Sequence, residues 1–238
     1  MNYIKNMYES EGFDALPTEF PNVEFEAKLT PTIPQQLEMS TRDLAEIIYG
    51  QRAAKYLEGE LSDEKRSQES YFVKGTNTAT FAQRENGFSL KQKKNLPNRN
   101  PFCAYVLKRS EKIQPVSSLD EVFTQSQSLA SEGYRYVGDM DKVVASLTFL
   151  DRDDGRVYDV SVSTCNPTGS DRYLRQVEIE YHGFIPGFYA YPRTFKYGDE
   201  AQVVAGVHRL ADIIRNHNDM KFTRMTKQDF SKLAYRAQ

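Results

Sequence analysis

The chain alternates apolar and polar residues with a period of two along much of its length, as strands with one buried face do. The first such stretch is VEFEAKL, residues 23–29, where Val23, Phe25, Ala27 and Leu29 alternate with Glu24, Glu26 and Lys28. It predicts a strand over about 22–30. A proline-marked connection, TPTIPQQLEMS, follows. Thr41 is placed to cap a helix running to about Leu57, with Leu44, Ile47, Ile48 and Ala54 on one side. The charged stretch EGELSDEKRSQES after it reads as an exposed loop or a frayed helix end. Strands are expected at SYFVKG, TATFAQRE and FSLKQKK, joined by turns at Gly75-Thr76-Asn77 and Asn86-Gly87. FCAYVLKRSE reads as a further strand. SSLDEVFTQSQSLASEG reads as a helix with Ser117 or Ser118 near its cap and Gly133 as its stop. Four more strands are expected at YRYVGDM, KVVASLTFLD, RVYDVSVST and LRQVEIEYHG, with DRDDG as a hairpin turn. An irregular aromatic stretch, GFIPGFYAYPRTFKYG, leads to a helix over 199–216 with Val203, Val207, Leu210 and Ile214 on one face.

The polar faces of these strands carry sorted charges. Acids concentrate on three strands, through Glu24 and Glu26, Asp159, and Glu178 and Glu180. Bases concentrate on others, through Arg84, Lys91 and Lys93, and Lys142. An ordinary antiparallel sheet turns its polar face to water. The alternative is a closed sheet with helices covering its apolar outside and the charged faces pointing into a lumen, since about eight strands can enclose a small ligand.

Composition narrows the class. At 238 residues, 39% hydrophobic and 27% charged, the chain is long enough for one sizeable core and reads as soluble and globular. A net charge of −2 gives no global pull toward nucleic acid or membrane. KQKKNLPNR is basic, but Lys91 and Lys93 alternate with other residues as in a strand, which argues against a nucleic-acid partner. No apolar run has the length of a signal peptide or membrane helix, so a cytoplasmic protein with no membrane partner is expected. Cys103 and Cys165 are far apart and read as buried small side chains rather than a disulfide framework. Three scattered histidines do not suggest zinc, and no Gly-rich phosphate loop is present.

EFEAK at Glu24–Lys28 matches the Glu-x-Glu-x-Lys signature near the N-terminus of the CYTH, or triphosphate tunnel metalloenzyme, superfamily. Later features follow the family's order. They are an Arg-bearing strand (Arg84), a Lys-bearing strand (Lys91, Lys93), Arg-x-Glu at Arg109–Glu111, a basic strand (Lys142), an acidic strand (Asp159) and a late Glu-x-Glu strand (Glu178, Glu180). The chain therefore resembles that superfamily over about residues 22–182. It departs in offering one arginine, Arg84, where the family often has an Arg-x-Arg pair.

The resemblance implies an α+β fold: a closed antiparallel β-barrel of about eight strands, with a polar tunnel and flanking helices. The domain layout expected is a lead segment at 1–21, a barrel domain at 22–216 with a helical insertion at about 41–69, and a polar tail at 217–238. Glu24, Glu26, Asp159, Glu178 and Glu180 are the candidate metal ligands, and Lys28, Arg84, Lys91, Lys93, Arg109 and Lys142 the candidate phosphate contacts. Lys28, Glu26 and Glu178 are the candidate catalytic residues. The implied cofactor is Mg²⁺ or Mn²⁺, and the implied partner a triphosphate-containing small molecule. The favoured activity is metal-dependent hydrolysis of inorganic, nucleoside or organic triphosphate. Cyclisation of a nucleotide, as in adenylate-cyclase-like relatives, and binding without turnover remain alternatives. The sequence leaves oligomeric state and metal count open.

Overall fold

The computed structural model describes residues 3–10, 12, 15–32, 40–52, 56–61, 64–85, 87–97, 105–186, 195–217 and 219–235. Helix α1 (Tyr3–Ser10) precedes strand β1 (Val23–Pro31). Helix α2 (Thr41–Arg52) leads to β2 (Tyr56–Leu61), β3 (Lys65–Lys74), β4 (Asn77–Arg84), β5 (Gly87–Leu96) and β6 (Leu107–Val116). Helix α3 (Leu119–Ser131) then precedes β7 (Arg135–Asp151), β8 (Arg156–Pro167) and β9 (Leu174–Phe184). Helix α4 (Glu200–His217), β10 (Met220–Phe222) and helix α5 (Lys227–Tyr235) complete the chain.

Eight strands close a ring in the order β1-β6-β5-β4-β3-β7-β8-β9, and β9 returns to β1. Every pairing is antiparallel. β1 pairs with β6 through Val23–Glu26 and with β9 through Glu26–Leu29. β10 extends the β6 edge of β1 through Leu29–Pro31, and β2 attaches to β7. The closed α+β barrel that the family resemblance implied is the fold of this chain.

Alternation sets what each face does. Phe25, Ala27 and Leu29 of β1 point outward, join Val160, Val177 and Ile179, and are covered by α4 through Val203, Val207, Leu210 and Ile214. Leu44 and Ile48 of α2 pack into the same cluster. On the other wall α3 lays Leu129 against Phe72, Phe81 and Leu90. Each such apolar side chain contributes about 1.5–3 kcal/mol on burial. With the apolar faces covered from outside, the charged faces have only the lumen left.

Two local features fix the covering elements. Arg156 is fully buried and donates to Glu19 from Nε at 3.0 Å, to Asp154 at 2.9 Å and to Gln202 at 2.9 Å. This ties the segment ahead of β1 to β8 and α4. In α4, a Cβ on Gly206 would lie 1.9 Å from the Tyr158 hydroxyl, and Tyr158 is fully buried. Gly206→Ala must push helix and sheet apart. It should cost about 1–3 kcal/mol and lower the Tm by several degrees. A melting curve identical to that of the parent chain would contradict this packing.

Several elements differ from their sequence-based expectation. The helix expected to reach Leu57 ends at Arg52, and its cap is Ser40 rather than Thr41. Ser40 Oγ accepts from the Asp43 amide at 3.2 Å, and Asp43 accepts from the Ser40 amide at 2.7 Å. The stretch expected as loop, or as the rest of a helical insertion to 69, instead forms β2 and the first half of β3. YRYVGDM and KVVASLTFLD are one 17-residue strand. A bulge opposite Tyr71 and Phe72, beside Gly138 at φ 131°, shifts its register against β3. β6 starts at Leu107, five residues later than expected, and Cys103 and Asn86 lie outside the described residues. Helix α3, with Ser118 as its cap and Gly133 at φ 89°, matches expectation. So do β1 and α4 to within a residue or two.

Candidate active site

Inside the barrel lies a cavity of about 270 Å³ lined by six carboxylates and eight cationic side chains. Strand order explains how the sorted charges meet. The acidic strands β8, β9 and β1 are consecutive in the ring, and β6, β5, β4 and β7 supply most of the bases from the rest of it. Acids and bases therefore face each other across the lumen. Lys28 on β1 and Glu69 on β3 are the exceptions, each set within the opposite wall.

On the acidic wall, Glu24, Glu26 and Glu180 each offer an oxygen within 4.8 Å of the others. Glu26 stands opposite Glu180 in the β1–β9 register, and Asp159 stands opposite Glu180 in the β8–β9 register. Like charges placed directly opposite are destabilising without a counter-charge. Glu180 shows the strain: burial, then Glu24 and Glu26, push its carboxyl up to about 8. Burial also raises Asp159, whose buried Oδ1 has no hydrogen-bond partner. Burial alone would raise Glu24 as well, but Lys93 and Arg109 outweigh it and hold that group at about 2.

The bases reach across to these acids. Arg109 donates from Nε to Glu24 at 3.0 Å and from its terminal nitrogen to Glu26. Lys93 donates to Glu24 and lies 3.3 Å from Glu111, which also pairs with Lys91 at 2.9 Å. Lys28 touches carboxylates on both sides, Glu26 at 3.0 Å and Glu178. The sequence-predicted residues Glu24, Glu26, Lys28, Arg84, Lys91, Lys93, Arg109, Lys142, Asp159, Glu178 and Glu180 all line this one cavity. They are not equally placed. Glu178 lies apart from the Glu24–Glu26–Glu180 group, held between lysines, and Arg84 is exposed at the mouth. His182, on the same face of β9 as Glu180, is also exposed.

Three lumen residues gave no sequence-level expectation. Glu69 on β3 accepts from Ser67 Oγ at 3.1 Å and from the Tyr71 hydroxyl, with Lys142 at 3.6 Å. Lys65 lies on the same strand nearer the mouth. Lys227, the first residue of α5, enters from the barrel's end and donates to both oxygens of Glu178 at 2.9 Å. Burial would raise Glu178, but Lys227, Lys28 and Lys142 hold it well below the usual range. Lys227, more than burial, lowers the ammonium pKa of Lys142. The signal for α5 is Thr226-Lys-Gln-Asp229, a capping box in which Asp229 N–H donates to Thr226 Oγ1 at 3.1 Å and Thr226 Oγ1 to Asp229 at 2.7 Å.

No protein-family model matches the chain, and no curated protein matches it. Among solved structures it is similar to a conserved hypothetical protein from Pyrococcus furiosus, with a TM-score of 0.47 and 11% identity over 87% of this chain and 98% of that one. It is also similar to a Pyrococcus horikoshii protein, with a TM-score of 0.47 and 14% identity over 90% and 99%. A third similar structure is the Pct1 RNA triphosphatase of S. pombe, with a TM-score of 0.37 and 13% identity over 90% and 88%. Among the described residues no helix is long and apolar enough to cross a membrane.

Proposed function

We propose that the chain is a divalent-metal-dependent hydrolase of triphosphate groups bound in the barrel lumen. The observation that carries this reading is the juxtaposition of the Glu24–Glu26–Glu180 group with a wall of fixed cations inside one cavity of the barrel. The carboxylate group fits a hard divalent cation. Three oxygens converge, Glu26 and Glu180 face each other in register, and the buried Oδ1 of Asp159 next to them lacks a partner. Glu24, Glu26 and Glu180 would hold Mg²⁺ or Mn²⁺, with Asp159 beside them. The metal, when bound, supplies Lewis-acid stabilisation of phosphoryl oxygens.

Charge balance favours a triphosphate. Eight cations face six lining carboxylates and Glu111, which pairs with Lys91 and Lys93, an excess of about one positive charge. One divalent cation raises this to about three. An organic triphosphate carries about four negative charges near neutrality, about two of them on its terminal phosphate.

The protein's own groups supply the remaining effects. Lys93, Arg109, Lys28 and Lys142 fix phosphate oxygens by charge-assisted hydrogen bonds, which strengthen away from bulk water. Because the ion pairs and backbone already hold these groups in place, little reorganisation is needed as charge shifts toward the leaving oxygen. Lys28 bridges Glu26 and Glu178 and so links the two acidic strands beside the reacting phosphate.

A substrate panel of inorganic tripolyphosphate, nucleoside triphosphates and pyrophosphate, with Mg²⁺ or Mn²⁺ and with EDTA, tests this. Orthophosphate release that needs the metal is the expected result. Cyclic nucleotide with pyrophosphate would move the reading to cyclisation. Tight binding without any product would make the chain a polyanion-binding module.

A further inference from the structure

The strand ladder lapses between β1 and β9. β1 pairs with β6 from Val23 onward, but with β9 only from Glu26. Continuing that register would set Phe25 opposite Tyr181 and Glu24 opposite His182. Instead, a turn at Pro21-Asn22 carries the segment ahead of β1 away from β9. The Val23 N–H donates to the Phe20 carbonyl at 3.1 Å, and Asn22 takes φ 63°, which asparagine tolerates at the third position of such a turn. The segment meets β9 again farther along, where the Phe184 N–H donates to the Pro17 carbonyl at 2.9 Å. At this lapse lies a second cavity, of about 300 Å³. It opens beside Asn22, Ile113 and His182, all exposed, and it shares Glu24 and Glu180 with the lumen.

The two approaches to the carboxylate group carry opposite charge. Among the described residues the carboxylates of the side cavity are Glu24, Glu111 and Glu180, His182 stands at its rim, and no lysine or arginine lines it. The lumen is lined by eight cationic side chains, with Arg84 exposed at its mouth. Such a wall draws in a polyanion and repels a divalent cation, and the side cavity does the reverse. Size agrees with charge. A divalent ion with six waters takes roughly 180 Å³ at about 30 Å³ per water, which the side cavity can hold.

We propose that the side cavity is the entry for the divalent cation, so that metal and phosphate reach the Glu24–Glu26–Glu180 group by separate routes. This rests on the functional reading above and adds one property to it: the metal exchanges while the phosphate chain stays bound. A hydrated cation passing through the lumen would take most of its volume of about 270 Å³, which a bound triphosphate already occupies. The lapse between β1 and β9 leaves the side route open.

The test compares two rates in one complex. Wild-type chain is loaded with Mg²⁺ and a radiolabelled, uncleavable methylene-bridged triphosphate. Replacement of Mg²⁺ by added Mn²⁺ is followed by water-proton relaxation, and release of the label by a chase with unlabelled ligand. The metal should exchange at least ~10 times faster than the ligand leaves. Metal exchange no faster than ligand release would overturn the proposal. A second arm mixes metal-free chain with Mn²⁺ alone. Ile113→Arg, which sets a positive charge at the rim of the side cavity, should slow Mn²⁺ association about tenfold relative to Ile113→Gln. That difference should shrink in high salt, as a merely structural effect would not. Equal association rates in the two variants would also overturn the proposal. Should either variant fail to fold, His182→Lys against His182→Gln gives the same comparison. If wild type forms no complex with Mg²⁺ and the triphosphate, the functional reading itself fails.

Discussion

Glu26→Gln is expected to lower metal-dependent triphosphate hydrolysis at least ~100-fold while the chain stays folded. Glu26 is 2% exposed and belongs to the one carboxylate group among the described residues whose oxygens converge within 4.8 Å. A neutral amide of the same shape keeps the packing and removes the charge that a divalent cation needs. Fold retention follows from the partners left behind. Arg109 keeps Glu24, and Lys28 keeps Glu178, so no buried cation is stranded. Orthophosphate release at saturating metal, with a melting curve on the same sample, reads both halves. A folded variant with an undiminished rate would remove Glu26 from the metal site.

Arg109→Met should have the largest effect on stability. Arg109 is 6% exposed and holds both Glu24 and Glu26. Methionine fills much of its volume but takes from Glu24 and Glu26 the one cation they share, leaving Glu24 with Lys93 alone and Glu26 with Lys28 alone, beside Glu180. Breaking a buried pair in this way costs about 3–5 kcal/mol. The metal-free chain should lose that much in a urea titration. Divalent cation should restore a large part of it, since a ligand at about 100 times its Kd adds about 2.7 kcal/mol. Equal stability of variant and parent in EDTA would show that Arg109 is not the counter-charge of this group. Failure of Mn²⁺ to rescue a destabilised variant would place the metal elsewhere.

Much of this was legible in the sequence, for physical reasons that particular segments show. In β1 every outward residue is apolar and every inward one charged, so period and function coincide in one heptapeptide. The pairing of Glu24–Lys28 with Glu178–Glu180 rests on strand parity, and closure of the ring made it contact. The β4–β5 hairpin and the α3 caps are set by local chemistry, which short windows contain. β2 and the first half of β3 were not legible. Along Lys65–Glu69 charged and polar residues fill both faces, because one faces the lumen mouth and the other solvent. No apolar alternation remained to reveal a strand, and Glu69 was hidden with it. β7 was split at Asp141, since Asp139 and Asp141 interrupt the apolar pattern there, yet Asp141 stays in the ladder opposite Gln68. Lys227 was hidden for a different reason. Its place in the lumen depends on how a C-terminal helix crosses the barrel's end. The capping box at Thr226–Asp229 marks that helix but not its destination.

The most direct measurement of the central claim is anomalous diffraction from crystals grown with Mn²⁺ and an uncleavable triphosphate. The account predicts a manganese peak in the lumen coordinated by carboxylate oxygens of Glu24, Glu26 and Glu180, with phosphate density between it and Lys142. Phosphate density outside the barrel, or a manganese peak only at surface carboxylates while the lumen ion pairs stay as they are, would contradict it.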